Sequence, residues 1–345
     1  MKYDLEYTVK DSDAGMTARG VASRRLGVSR RLIRRIANAA VDYGGEASFG
    51  GVFIGGRPAR FTDRVKPGDV VGLAFPDEAS GFVPQDIPID VIREDDDILA
   101  LNKQPGLVVH PTKGHVDGTI ANGLMRRMEG RGERYKIRFA NRLDMGTSGV
   151  LLIGKNSHAQ SEFARQSGAG RIRKLYLAVL CGVPPESAGV VDAPIALEEE
   201  GAPRRTVREG GAPSRTFYRI LESYEYSLAR PSDGIGGAER HTGDGVRRAS
   251  LALISITTGR THQIRVHMSH IGCPVMGDTL YGGGAPMALP DGVGEPVPII
   301  GRQALHAAIL RFAHPRTREE ITLAAPLPAD MIACLRALGA KAVGA

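Results

Sequence analysis

The segment Asn141-Arg142-Leu143-Asp144-Met145-Gly146-Thr147-Ser148-Gly149 runs straight into the apolar Val150-Leu151-Leu152-Ile153. A Gly/Ser/Thr turn followed by four large apolar residues reads as a tight loop at the mouth of a buried strand. The strand fixes the loop, and the loop presents one carboxylate, Asp144, at the floor of a cleft. Arg142, two positions away, is placed to lower the carboxylate pKa or to stack on a base. Taken alone, the segment is first a surface turn in which Asp144 bonds neighbouring backbone N–H groups. The rest of the chain reverses that.

The 345 residues suffice for two or three domains, and 42% hydrophobic with 24% charged residues describes a soluble globular chain. No stretch approaches the ~18 apolar residues of a membrane helix, and the charged N-terminus has no apolar signal region. Cys181, Cys273 and Cys334 are far apart and form no C-x-x-C pair, which argues against a disulfide framework or a cysteine zinc site. A cytoplasmic protein without a membrane partner is expected. Forty-five basic against 38 acidic residues give a net charge of +7, which favours a polyanionic partner.

The charge is concentrated. Arg19, Arg24, Arg25, Arg30, Arg31, Arg34 and Arg35 fall in one stretch, with no acid between Asp13 and Asp42. Ser29 is a good N-cap for a helix starting at Arg30, with Leu32, Ile33, Ile36 and Ala40 on its apolar face and arginines opposite. A β-rich piece from Val52 to Arg60 and a strand at Val70-Val71 follow. A short helix pair and a small sheet with an acid-free arginine face read as a compact RNA-binding module, because ordinary solvated faces mix signs.

Beyond a polar connector, Pro76 to Asp86, a hairpin is expected across Ile87–Pro111. Strands are expected near 98–102, 149–154, 173–180, 215–223, 248–257, 305–313 and 320–323. Helices are expected near 120–128, 261–271 and 329–338, with another capped by Ser157 and running to about Gln166. Ala229 to Val246 is Gly- and charge-rich and reads as a mobile loop. The pattern predicts an α+β fold with a mixed, mostly antiparallel central sheet and flanking helices. Residues 1–80 are expected to form the RNA-binding domain and 81–345 a larger one.

A second polar concentration is Thr258-Gly259-Arg260-Thr261-His262-Gln263-Ile264-Arg265-Val266-His267. On a helix, His262, Arg265 and Ser269 share a face, and two arginines at a helix N-terminus suit an anion. A metal held by His262, His267 and His270 is not favoured, because no carboxylate or thiol accompanies them at ligand spacing.

With both segments in view, the chain resembles the RluA family of RNA pseudouridine synthases. The markers are Lys103-Gln104-Pro105-Gly106-Leu107-Val108-Val109-His110-Pro111, Arg142-Leu143-Asp144 with Thr147-Ser148-Gly149, and Lys174-Leu175-Tyr176-Leu177-Ala178. Gly259 to His267, Gly277-Asp278 with Tyr281-Gly282, and Leu305-His306-Ala307 complete them in the family's order. Residues from about 15 to 74 resemble, more loosely, the small αL-type RNA-binding module named after ribosomal small-subunit protein four. One departure is Asn141, where the family usually has histidine; a structural hydrogen bond is its expected role.

The resemblance implies isomerisation of uridine in structured RNA without cofactor or metal. The glycosidic bond breaks, the uracil turns and a carbon–carbon bond forms. Asp144 is then the nucleophile, attacking the base, or attacking or deprotonating the ribose. Arg265 is the cation that keeps it ionised, and Tyr176 stacks on the target base while its hydroxyl polarises a reacting atom. Arg142 takes the space left by the flipped uridine or holds a phosphate. Arg260, His262 and the N-terminal arginines Arg24, Arg25, Arg30, Arg31, Arg34 and Arg35 grip RNA. Ribosomal RNA, above all of the large subunit, is the expected partner, with tRNA as the alternative, and the family is usually monomeric. A non-catalytic RNA-binding or ribosome-assembly role on the same scaffold is the competing expectation. A carboxylate-dependent hydrolase would want a second acid near Asp144, and the neighbouring sequence offers none.

Overall fold

A computed structural model of the protein describes residues 3–38, 40–43, 46–49, 51–76, 78–112, 114–227, 246–284, 287–288, 297–298 and 300–339. The segment 229–245, expected to be a mobile loop, lies outside the described residues.

The N-terminal part runs β1 (Leu5–Thr8), α1 (Ala18–Arg24), α2 (Arg30–Ala37), β2 (Ala40–Tyr43), β3 (Glu46–Phe49), β4 (Val52–Ile54), β5 (Arg57–Pro58) and β6 (Val70–Leu73). Strands β1, β6, β4 and β5 make one antiparallel sheet. Helix α2 starts where its cap dictates, since the Leu32 backbone N–H donates to Ser29 Oγ at 3.2 Å. Its Leu32, Ile33 and Ile36 pack with Leu5, Val21, Val71 and Leu73 in a core drawn wholly from residues 5–75, while Arg30, Arg31 and Arg34 stay exposed.

The larger part begins with β7 (Val91–Glu94), β8 (Ile98–Lys103), α3 (Ile120–Arg131), β9 (Arg138–Phe139), β10 (Ser148–Gly154), α4 (Ser157–Gly168), β11 (Arg173–Cys181) and β12 (Ala188–Asp192). It continues with β13 (Ile195–Leu197), β14 (Arg205–Val207), β15 (Arg215–Ser227), β16 (Val246–Ile256), α5 (Gln263–His270), β17 (Met287–Ala288) and β18 (Val297–Pro298). It closes with β19 (Leu305–Ala313), β20 (Glu320–Ala324) and α6 (Ala329–Ala337). The central sheet has the order β12-β15-β16-β11-β19-β10-β8-β7, with β9 added to β10 and β20 to β19. The one parallel pairing in this sheet, among the described residues, is β10 with β19, where Ser148 faces His306. The fold is therefore α+β with a mixed, mostly antiparallel sheet. No described helix is long and apolar enough to cross a membrane.

Strand β10 is buried along its whole length because it divides two core layers. Leu151 and Ile153 pack with Leu124 of α3, Met268 of α5 and Leu335 of α6. Val150 and Leu152 point the other way, to Ala159 and Phe163 of α4. At the head of the strand, Gly149 has φ +110°, and a Cβ there would lie 2.2 Å from the Ala307 carbonyl oxygen. Only glycine permits this approach of β10 to β19.

Asn141 has a structural role. Strand β9 pairs with Ile153 and Gly154 and then ends. The Asn141 amide continues the ladder: Leu152 N–H donates to its Oδ1 at 2.8 Å, and its Nδ2 donates to the Val150 carbonyl at 3.0 Å. One side chain thus stands in for the next backbone peptide of the missing strand.

Three local expectations need correction. Helix α4 is capped by Asn156, whose side chain accepts from Ala159 N–H, and Ser157 is its first helical residue. The hairpin near Ile87–Pro111 consists of β7 and β8 alone, because residues 105–111 take a turn-rich path. Helix α5 begins at Gln263 rather than Thr261, because His262 sits in the left-handed region at φ 57°.

Gly149→Ala should lower stability by about 3 kcal/mol or more, from positive-φ strain plus collision with backbone. A chemical-denaturation series reads this as a lower midpoint with an unchanged m-value. An unchanged midpoint would mean that β10 and β19 can separate at no cost.

Candidate active site

The turn that follows Leu143 is fixed from behind. Thr147 N–H donates to the Asp144 carbonyl, and Gly106 N–H to that of Met145, both at 2.9 Å. Arg302 Nη1 reaches the Gly146 carbonyl at 2.8 Å. Lys103 Nζ donates to the carbonyls of Met145 (3.1 Å), Thr147 (2.9 Å) and Gln104 (2.9 Å). Every carbonyl from Asp144 to Thr147 therefore has a donor. Lys103 is fully buried, and burial, helped by the nearby Arg302 charge, pushes its ammonium down to about 7 against the opposing pull of Asp144.

With its backbone held, Asp144 keeps its side chain 28% exposed and aims it at Arg265, whose Nη1 donates to Oδ2 at 3.1 Å. The rest of the guanidinium is claimed by buried Asp278, with Nε to Oδ2 at 2.6 Å and Nη2 to Oδ1 at 2.9 Å. This bidentate clamp leaves one N–H edge for Asp144. Burial works against the Arg265 charge, but the hydrogen bonds and charge of Asp278, joined by Asp144, hold its pKa above the ordinary value. The guanidinium also lies over the Tyr281 ring, 5.0 Å from its centroid.

His262 reaches the site because of its left-handed backbone, and does not share a helix face with Arg265 and Ser269 as expected. Its Nε2 is 4.0 Å from Asp144 Oδ2, and its Nδ1 is 2.8 Å from the Tyr281 hydroxyl. Burial lowers its pKa against the pull of the Asp144 charge, so the ring is neutral at pH 7. His267 is turned away, bonded to Thr216 Oγ1 and the Ala193 carbonyl. Tyr176 is buried on β11, and burial plus the Asp144 charge raises its pKa, keeping it a phenol.

Arg142, Asp144, Tyr176, Arg260, His262 and Arg265, all singled out from sequence, line one cleft of about 550 Å³. Arg142 is exposed there, with no hydrogen-bond or ion-pair partner for its guanidinium among the described residues. The N-terminal arginines lie elsewhere. Arg24, Arg30, Arg31 and Arg34 are exposed on α1 and α2. Arg25 Nε is bonded to buried Asp13 at 2.8 Å, and Arg35 is paired with Glu78 at 2.8 Å. Lys103, Asp278, Tyr281 and Arg302 received no role from the sequence. A lysine at the end of the apolar run Ile98–Leu101 and an aspartate directly after Gly277 were the available signals for the first two.

The chain matches the family model described as RNA pseudouridylate synthase over residues 97–270. It is 34% identical over 308 residues to the uncharacterized RNA pseudouridine synthase YjbO of Bacillus subtilis, covering 89% of this chain and 94% of that one. It is 36% identical over 295 residues to ribosomal large subunit pseudouridine synthase D of Xanthomonas campestris, covering 84% and 81% of the two chains. Among solved structures it is similar to human RNA Pseudouridylate Synthase Domain Containing 1, with 28% identity, a TM-score of 0.50 and coverage of 72% of this chain and 87% of that one.

The Lys103 environment makes a pH prediction. Its folded pKa of about 7 lies below the ordinary 10.5, so between those values the unfolded chain binds more protons. Stability supplied by this site therefore rises with pH from about 7 towards 10. In equilibrium unfolding, the stability of wild type relative to Lys103→Met should increase across that window. Parallel curves would mean that the buried ammonium titrates normally.

Proposed function

The chain belongs to the RNA pseudouridylate synthase family, and from that premise we propose that it isomerises uridines of ribosomal large-subunit RNA with Asp144 as the nucleophile. The observation that carries this is the Asp144 carboxylate, open to a cleft and bonded to an Arg265 that Asp278 clamps from the opposite side. A carboxylate entering a closing RNA complex loses water and is driven towards protonation. A fixed guanidinium at 3.1 Å counteracts that and keeps the nucleophile charged.

In this reading the target uridine leaves its stack and enters between Tyr176 and Asp144. Asp144 attacks the base, or attacks or deprotonates the ribose; all three routes need the same ionised group. The N1–C1′ glycosidic bond breaks, the uracil turns, carbon 5 bonds to C1′ of the ribose, and the proton lost from carbon 5 to solvent is balanced by one gained at N1. Tyr176, as a phenol, offers a ring for stacking and a donor for a base oxygen. Arg142 fills the vacated stack or holds a phosphate, and Arg260 and neutral His262 contact the flanking backbone. Residues 1–80 act as an RNA-binding domain of the ribosomal-protein-four type, with Arg24, Arg30, Arg31 and Arg34 towards phosphates, and residues 81–345 as the catalytic domain. The separate N-terminal core and its arginine face support that division. The large-subunit target rests on similarity to relatives bearing that name. A monomer acting in the cytoplasm, where that RNA is made, fits this role.

Asp144→Asn is nearly isosteric and keeps an acceptor for Arg265. It should retain RNA binding while tritium release from carbon-5-labelled uridine falls by at least about 10⁴-fold. Turnover by this variant would remove Asp144 as the nucleophile. Mapping pseudouridines in RNA from a deletion strain should show losses confined to large-subunit rRNA. Losses confined to tRNA would reassign the substrate.

A further inference from the structure

A groove of about 1000 Å³ runs between α2 and the β9 side of the larger part. One wall carries Arg31 and Arg35 of α2. The other carries Lys136, Arg138 and Arg142. Against these five cations, the described lining residues include a single carboxylate, Glu78. The groove is continuous with the Asp144 cleft, because His110 and Arg142 line both.

Glu78 bridges the walls. Its Oε2 accepts from Arg35 Nη2 at 2.8 Å and also from Arg138 Nη2. Arg138 is 6% exposed, and Glu78 is its ion-pair partner. Two guanidiniums from opposite walls converging on one anionic oxygen also suit a phosphodiester, which carries the same unit charge and more acceptor oxygens. Glu78 belongs to the connector between β6 and β7, whose described residues form no helix or strand, and which is tethered close by where Ile137 N–H donates to Ser80 Oγ at 2.8 Å. Its side chain can swing out without unpairing a sheet. The Arg31 guanidinium and the Lys136 ammonium are exposed and have no hydrogen-bond or ion-pair partner among the described residues; the Lys136 carbonyl accepts from Arg138 Nη1 at 2.8 Å.

We propose that this groove is a second RNA-backbone site, in which a phosphate flanking the target displaces Glu78 and bridges Arg35 and Arg138. The proposal rests on RNA being the ligand of the Asp144 cleft. It adds a track leading away from that cleft and an internal carboxylate that RNA must evict. Loosely bound or wrongly docked RNA cannot evict it, so the device favours RNA that engages both sites.

The test uses the full chain carrying Asp144→Asn and a fluorescein-labelled RNA hairpin with a stem of about 20 base pairs. One phosphate contact changes affinity about eightfold near 0.1 M salt and the log–log salt slope by about 0.9. Arg31→Gln and Lys136→Gln should each weaken binding by about that factor and flatten the slope by about that amount. Glu78→Gln should tighten binding about eightfold, because the competing charge is gone. Thermal unfolding checks that each variant is folded, and the two exposed positions carry the test if Glu78→Gln folds poorly. If Arg31→Gln and Lys136→Gln leave affinity and slope unchanged while Arg260→Gln weakens binding, the groove is not a track and the cleft assignment stands. Weaker binding by folded Glu78→Gln would make Glu78 a brace and overturn the displacement. If Arg260→Gln too has no effect and wild type releases no tritium, the underlying function fails instead.

Discussion

Arg265 is shared between two carboxylates of unequal status, and the chemistry of the cleft depends on that inequality. Asp278 is buried and takes two guanidinium nitrogens; Asp144 is partly exposed and takes one. The buried acid neutralises most of the cost of burying the arginine and fixes the plane of its fork. What remains for Asp144 is a directional, charge-assisted bond that leaves the other carboxylate oxygen open to the cleft.

Behind this pair lies a second layer of basic side chains that do not line the cleft. Lys103 and Arg302 donate to backbone carbonyls of the Asp144 turn, and Arg302 is itself anchored by Asp330 at 2.6 and 2.8 Å. A glycine-containing turn would otherwise sample many conformations. Tying its carbonyls to side chains on β8 and before β19 turns a soft loop into a fixed mount.

Much of this was legible in the sequence. The apolar run after Gly149 and the arginine face of α2 with its Ser29 cap follow from periodicity and capping, which act over short distances, while the six polar residues of the cleft were marked out together by the resemblance of their motifs to a family. What was not legible depends on contacts across the fold. The left-handed conformation of His262 is imposed by tertiary packing against a residue type that rarely adopts it. Asn156 and Ser157 both suit a cap, and position in space decides between them. Asp278 and Lys103 stood in the motifs, but their roles appear only once Arg265 and the Asp144 turn are brought to them. The Glu78 bridge joins two arginines 103 positions apart in numbering, and neither flags the other.

The contacts that make the site are long in sequence. Arg265 is 121 residues from Asp144, and Arg302 is 156 from Gly146. Ser148 meets His306 through the parallel pairing of β10 and β19. Loop-closure entropy for such pairings is recovered only when the whole sheet has formed. The Asp144 turn therefore has its full set of partners only where the chain from β8 to β19 is in place. The N-terminal helices need none of these pairings, because their core is drawn from residues 5–75 alone. The arginine-bearing face of α2 is thus a local product of the chain, whereas the carboxylate–guanidinium pair of the cleft is a product of the completed sheet.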